Sequence, residues 1–184
     1  MAHQPKAAPL ALGSVAPGWT LSATDGREYA LPRDHGAKGT VVFFTCNHCP
    51  YVKAYDARIN ALAKEFAPKG IAFFGINAND VEAYPDDSFA KMQEKSRAQA
   101  LPYTYLRDDT QQAALDYGAG CTPEFFCFNA QLRLVYTGRL DDNMEEPKQV
   151  QHPYLRDAIT AVLAGTTPPT QQSHAIGCSV KWKG

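Results

Sequence analysis

Short apolar runs bounded by turn residues, with one long amphipathic stretch among them, organise this chain. Val41 to Thr45 is apolar and uncharged, the pattern of a central strand buried on both faces. Tyr51 to Ala67 carries apolar residues at Val52, Tyr55, Ile59, Leu62, Ala63 and Phe66, which predicts an amphipathic helix stopped at Pro68. Ile71 to Ile76 follows Lys69-Gly70 as a second apolar strand. Strand, helix, strand in that order implies a right-handed crossover and a parallel pair. Trp19-Thr20-Leu21 and Glu28-Tyr29-Ala30-Leu31 flank Thr24-Asp25-Gly26 and predict an N-terminal β-hairpin. Asp80 or Asp87-Ser88 is placed to cap a helix running to about Arg97, Tyr103 to Leu106 alternates like a strand, and Thr110 to Tyr117 reads as a short helix ending at Gly118. Glu124 to Asn129 and Leu132 to Thr137, joined by Ala130-Gln131, read as an antiparallel hairpin. Tyr154 to Leu163 is a last helix, stopped by Gly165 and Pro168-Pro169. The expected fold is α/β: a three-layer α/β/α sandwich with a mixed central sheet and an N-terminal β-hairpin.

A chain of 184 residues is long enough for one domain that buries roughly 70% of its unfolded surface. Residues 1–12 are expected to form a flexible lead, 13–165 the domain, and 166–184 a C-terminal tail that carries Cys178 and docks on it. Acidic and basic residues nearly balance, 19 against 18, with no block of like charge, which points away from nucleic acid and membrane surfaces. No export signal and no bilayer-length apolar stretch is read, so a cytoplasmic location is expected. In that setting five cysteines read as reactive or buried thiols rather than a disulfide framework.

Cys46-Asn47-His48-Cys49 follows the buried strand directly. Two cysteines at this spacing, delivered into the first turn of a helix, face the same side and can bond. Free N–H groups and the partial positive charge of a helix N-terminus favour the thiolate, which is the reactive form. Cys46, at the strand–helix junction, is expected to be the more exposed sulfur and the nucleophile, with Cys49 resolving the mixed disulfide. Pro50 complicates this assignment. Proline prefers the first helical position, which would make Cys49 the N-cap and give it the larger share of the dipole. His48, if charged, would stabilise a nearby thiolate and the reduced form; the plainer reading is an exposed polar residue at a helix start. Thr122-Pro123 leads into the strand Glu124–Asn129, where a cis Thr–Pro bond gives a reason for a proline at a strand start.

These motifs resemble a known group. Cys46-x-x-Cys49 after a central strand and Thr122-Pro123 before a later one resemble the thioredoxin superfamily, so the expected sandwich is thioredoxin-like. Gly13-Ser14-x-Ala16-Pro17 with Leu21 and Asp25-Gly26 resembles its peroxiredoxin and redoxin branch, of AhpC/TSA type. Cys46 through Lys53, Asn77-x-Asn79-Asp80, Tyr84-Pro85-Asp86-Asp87-Ser88, Cys121-Thr122-Pro123 and Gly177 through Lys183 resemble the peroxiredoxin-like proteins of that branch. The resemblance implies a redox dithiol at Cys46 and Cys49, shaped by Asn47 and His48. Thr122 and Pro123 are packed opposite it and present backbone groups to a bound thiol partner. It implies protein or small-molecule disulfides and thiols as partners, with glutathione or a redoxin as reductant. Peroxiredoxins carry Pro-x-x-x-Thr-x-x-Cys. With Cys49 aligned to that cysteine, Val42 and Cys46 stand where proline and threonine belong, a departure that weighs against peroxide reduction.

Three further thiols are weighed separately. Cys121 is a small buried hydrophobe or a third reactive thiol near the dithiol, and Cys127 in Phe125-Phe126-Cys127-Phe128 is core. Cys178 is an idle surface thiol or a tail-borne resolving thiol. Cys46, His48, Cys49 and Cys121 have ligand chemistry, and His152 and His174 are candidates for a further copper ligand only by elimination. Without a second paired motif no metal and no cofactor is expected. The acidic pairs at 86–87, 108–109, 141–142 and 145–146 read as solvated or capping. The leading expectation is a thiol–disulfide oxidoreductase, monomeric or homodimeric. The alternatives are a peroxiredoxin-like peroxidase of hydrogen or alkyl peroxides with Cys178 resolving, and a metal-binding or redox-sensing protein without turnover.

Overall fold

The run predicted as the central strand forms one, because a segment without polar side chains to solvate is stable only between two covered layers. The computed structural model describes residues 8–184. In chain order it contains β1 (Trp19–Ala23), β2 (Glu28–Leu31), β3 (Gly39–Phe44), α1 (Pro50–Phe66), β4 (Ile71–Asn77), α2 (Phe89–Gln99), β5 (Thr104–Arg107), α3 (Gln112–Tyr117), β6 (Cys121–Thr122), β7 (Glu124–Asn129), β8 (Leu134–Gly138), α4 (Tyr154–Ala164) and β9 (Cys178–Ser179). Seven strands make one mixed sheet in the order β2-β1-β5-β4-β3-β7-β8. β3 pairs parallel with β4 and antiparallel with β7, and all six of its residues are buried.

Alternation along β3 divides the core. Val41 and Phe43 face a layer formed by α1, α2 and α4, whose Ile59, Met92 and Ile159 pack there. Val42 and Phe44 face the opposite layer, where α3 contributes Tyr117 and the N-terminal hairpin contributes Trp19. The result is the expected thioredoxin-like three-layer sandwich with a mixed sheet.

Local departures have local causes. Of the lead expected to be flexible, residues 1–7 lie outside the described residues. Leu10 and Leu12 pack against the hairpin-side core instead of standing free. The β7–β8 connection is longer than the two residues expected, since Asn129 Oδ1 accepts the N–H groups of Gln131 and Arg133 and Leu132 adopts φ 54°. The tail, which has no periodicity, contains β9, a two-residue strand antiparallel to β6. No described helix is long and apolar enough to cross a membrane.

β4 keeps its close approach to the ring layer by carrying a glycine. A Cβ on Gly75 would lie 2.9 Å from Phe43 and 2.8 Å from Tyr103 ring atoms. Gly75→Ala is expected to lower stability by about 1–3 kcal/mol through overpacking. Urea denaturation measures it, and an unchanged midpoint would show that the rings yield freely.

Candidate active site

The C-terminal ends of β3 and β4 open toward one edge of the sheet, where open α/β sheets form their clefts. The chain leaves β3 through Thr45, turns through Cys46-Asn47-His48, and enters α1 with Cys49 as N-cap and Pro50 in the first turn. The Lys53 N–H bonds back to the Cys49 carbonyl at 3.1 Å. Proline, which lacks an N–H and has a helical φ, fixes where the helix begins. This corrects the expectation that Cys46 is the more exposed sulfur. Cys46 lies before the helix, and both cysteines are fully buried.

Thr122 spans the pair. Its hydroxyl lies 3.4 Å from Cys46 Sγ and its carbonyl oxygen 3.3 Å from Cys49 Sγ, and the Thr122–Pro123 peptide is cis. The two thiols are linked. The neighbouring Cys46 side chain, with the Cys178 thiol and the N–H groups of Val52 and Cys178, lowers the Cys49 pKa against the opposing effect of burial. The same contact with Cys49, then burial and the Asp87 charge, pushes Cys46 far up. The two thiols therefore titrate as one coupled pair, in which the lowering falls on Cys49 at the start of α1.

A buried carboxylate organises the loop. Asp87 is wholly buried, and its oxygens accept from the Asn47 N–H at 2.6 Å, His48 Nδ1 at 2.6 Å, Asn79 Nδ2 at 2.9 Å and Asn77 Nδ2 at 3.2 Å. Asn47 donates to the Asp86 carbonyl and accepts from the Tyr105 hydroxyl at 2.8 Å, while His48 stacks on Tyr84 at 5.1 Å. The reading of 86–87 as a solvated or capping pair is thus corrected for Asp87. Asp108 does cap, accepting the Ala114 N–H, and Asp141 is buried against Arg58 at 2.6 Å. Asp87, Asn77, Asn79 and Tyr105 were not singled out as site residues. The available signal was a pair of asparagines at the polar end of an apolar strand.

The remaining candidates separate. Cys178 is the register partner of Thr122 and packs beside Cys46, Cys49 and Val52. Cys121, on the neighbouring position of β6, is pushed up to about 12 by burial, and Cys127 lies in the core under the same effect. Cys46, His48 and Asp87 form one cluster of metal-ligand type among the described residues, with ligand atoms within 4.8 Å of one another. All four contacts on Asp87 come from N–H donors, which suits a hydrogen-bonded carboxylate better than a ligand. Neither Cys121, His152 nor His174 joins that cluster.

The sequence signature of the AhpC/TSA family matches residues 12–137, more than half of the chain and the whole of this site except the tail. The chain belongs to the AhpC/TSA family. At family level this is thiol redox chemistry, of thiol–disulfide oxidoreductase or peroxiredoxin type. The chain is 26% identical over 133 residues to the thiol–disulfide oxidoreductase ResA of Geobacillus thermodenitrificans, covering 71% of this chain and 72% of that protein. It is 25% identical over 136 residues to the chloroplastic peroxiredoxin Q of Suaeda salsa, covering 69% and 60%. A crystal structure of a conserved protein from Geobacillus kaustophilus superposes with a TM-score of 0.89 at 40% identity, covering 94% of this chain and 93% of that one.

Two outcomes are expected. Thiolate absorbance of the reduced protein should titrate with a first midpoint below the ordinary thiol value near 8.5, and Cys46→Ala should move that midpoint upward. Thiolate appearing only above pH 8 in the parent would show that the pair holds no low-pKa sulfur. Asp87→Ala leaves four donors without an acceptor, and urea denaturation is expected to show a loss of more than about 3 kcal/mol.

Proposed function

We propose that this protein is a thiol–disulfide oxidoreductase in which Cys49 attacks and Cys46 resolves. The observation that carries the reading is the place of Cys49 as N-cap of α1, where the free N–H groups of the first turn favour its thiolate. The Cys49 thiolate attacks one sulfur of a disulfide. The Cys49–substrate bond forms, the substrate disulfide breaks, and the other half leaves as a thiolate. Covalent capture removes the negative charge from Cys49, and with it the main influence holding Cys46 protonated. Cys46 then gives up its proton, with the Asp87–His48 pair beside it as acceptor, and attacks Cys49. The Cys46–Cys49 disulfide forms and the second substrate thiolate is released, two electrons having passed to the substrate.

Support comes from the absence of the peroxidatic threonine and proline positions, taken by Cys46 and Val42, and from the likeness to ResA. Small or protein disulfides serve as substrates and a thiol reductant such as glutathione or a redoxin regenerates the dithiol. The peroxidase reading retains one specific support, an N-cap thiolate followed by Pro50.

Cys49→Ser is expected to abolish both adduct formation with oxidised glutathione and insulin-disulfide reduction, by at least about thirtyfold, since an ordinary thiol is only a few per cent ionised at neutral pH. Cys46→Ser should still take up glutathione on Cys49. An adduct on Cys46 in the Cys49→Ser variant would reverse the roles. Sulfenate on Cys49 forming faster with peroxide than the adduct forms with the disulfide would favour the peroxidase.

A further inference from the structure

A hollow of about 390 Å³ lies beside the dithiol, within the range of about 300–1,000 Å³ usual for small-molecule sites. Tyr51 and Ile176 form its wall on the dithiol side. Tyr51 stands two residues after Cys49 and packs against the cluster of Cys46, Cys49 and Val52. Ile176 stands two residues before Cys178, and two residues of chain span at most roughly 7 Å. The opposite wall is a loop held in place by α1. Arg58 pairs with Asp141 at 2.6 Å and donates to the carbonyls of Asn143 and Met144. The Asn143 N–H bonds to Asp141 Oδ1 at 3.1 Å, and the Gln151 N–H to Asp142 Oδ1 at 3.0 Å. One helix therefore carries the attacking sulfur at its start and the clamp on the hollow further along.

Arg139 reaches the hollow from the end of β8. Its backbone is fixed, the N–H donating to the Ser173 hydroxyl at 3.0 Å and the carbonyl accepting from the Tyr136 hydroxyl. Its guanidinium lies 5.4 Å from the Tyr154 ring. Nε is buried without an acceptor, and among the described residues Arg139 forms no ion pair, with Asp142 and Glu145 or with any other acid. A buried N–H left in this way is costly until an acceptor arrives, and the planar guanidinium fork matches a carboxylate. Asp142 and Glu145 stand on the same lining, together with Met144 and the apolar bodies of Tyr51 and Ile176. Cation, carboxylates and apolar surface in one small hollow are the complement of an amino acid.

We propose that this hollow seats one half of a small disulfide carrying both a carboxylate and an ammonium group, an amino-acid or short-peptide disulfide, with Arg139 taking the carboxylate. Asp142 and Glu145 meet the ammonium group, and Tyr51 and Ile176 cover the methylene that leads to sulfur. The proposal rests on exchange at Cys49 and names its substrate class. The Cys49 thiolate attacks the seated sulfur. The bond from Cys49 to that sulfur forms, the substrate disulfide breaks, and the other half leaves as a thiolate. Both cysteines are buried, so a slender disulfide reaches them with less displacement of the chain than a protein loop requires.

The test mixes the reduced full chain with cystine, which carries both groups, dithiodipropionate, which carries carboxylates alone, cystamine, which carries ammonium groups alone, and hydroxyethyl disulfide, which carries neither. Loss of protein thiols is followed by acid quenching. Each rate is divided by that of the same disulfide with mercaptoethanol, which removes differences in intrinsic reactivity. The parent is expected to favour cystine over hydroxyethyl disulfide by at least about tenfold, the effect of one charge-assisted contact. Arg139→Gln should lower the rates for cystine and dithiodipropionate, each relative to hydroxyethyl disulfide, by about tenfold or more, with no such fall for cystamine. Arg139→Lys, which keeps the charge and loses the fork, should fall between parent and glutamine variant, and replaces the latter if that does not fold. Glu145→Gln should lower the ratios for cystine and cystamine by only about twofold, because that carboxylate is exposed. A parent with no preference among the four disulfides, or an Arg139 variant that slows all four alike, overturns this proposal alone. A Cys49 that reacts with none of them, hydroxyethyl disulfide included, overturns it together with the exchange reading.

Discussion

The carboxylate of Asp87 is the constraint on which the site depends. A buried charge is tolerated only where donors surround it, and here four N–H groups do so. Two of them, from Asn47 and His48, belong to the loop between the cysteines, and two, from Asn77 and Asn79, to the end of β4 and the segment just after it. The carboxylate therefore ties the dithiol loop to the sheet edge. Its charge also opposes ionisation of the sulfur nearest to it, Cys46. One group thus shapes the loop and adds to what disfavours ionisation of Cys46.

The same site reconciles two kinds of relative. A thiol–disulfide oxidoreductase needs two sulfurs in bonding reach, and a peroxiredoxin needs one ionised sulfur at a helix start. Cys46 and Cys49 provide the first, and Cys49 as N-cap before Pro50 provides the second. What separates the chemistries is the surroundings of the ionised sulfur. Here they consist of two further thiols and a threonine.

Much of this was legible in the sequence where periodicity carries the signal. β3 and α1 follow from an unbroken apolar run and a stripe at helical spacing, and the dithiol follows from its place between them. The role of Asp87 was not legible, because its burial results from a contact with residues about forty positions earlier and its neighbours read as a polar loop. Pro50 left two readings of the helix start, and only the backbone around Cys49 chose between them. β9 was hidden for a different reason: two residues show no period, and its partner Thr122 supplies the pairing. The contact of both sulfurs with Thr122 depends on distances that spacing alone does not give.

An ionised Cys49 also changes the electrochemistry of the pair. A dithiol that holds both protons takes up two electrons and two protons on reduction, and its potential falls about 60 mV per pH unit. If Cys49 is the thiolate that the proposed exchange mechanism requires, reduction of the Cys46–Cys49 disulfide takes up two electrons but only one proton. The potential should then fall by about 30 mV per pH unit, half the usual slope. Relative to a redox partner whose thiols are both protonated, this protein becomes the stronger oxidant as the solution turns alkaline.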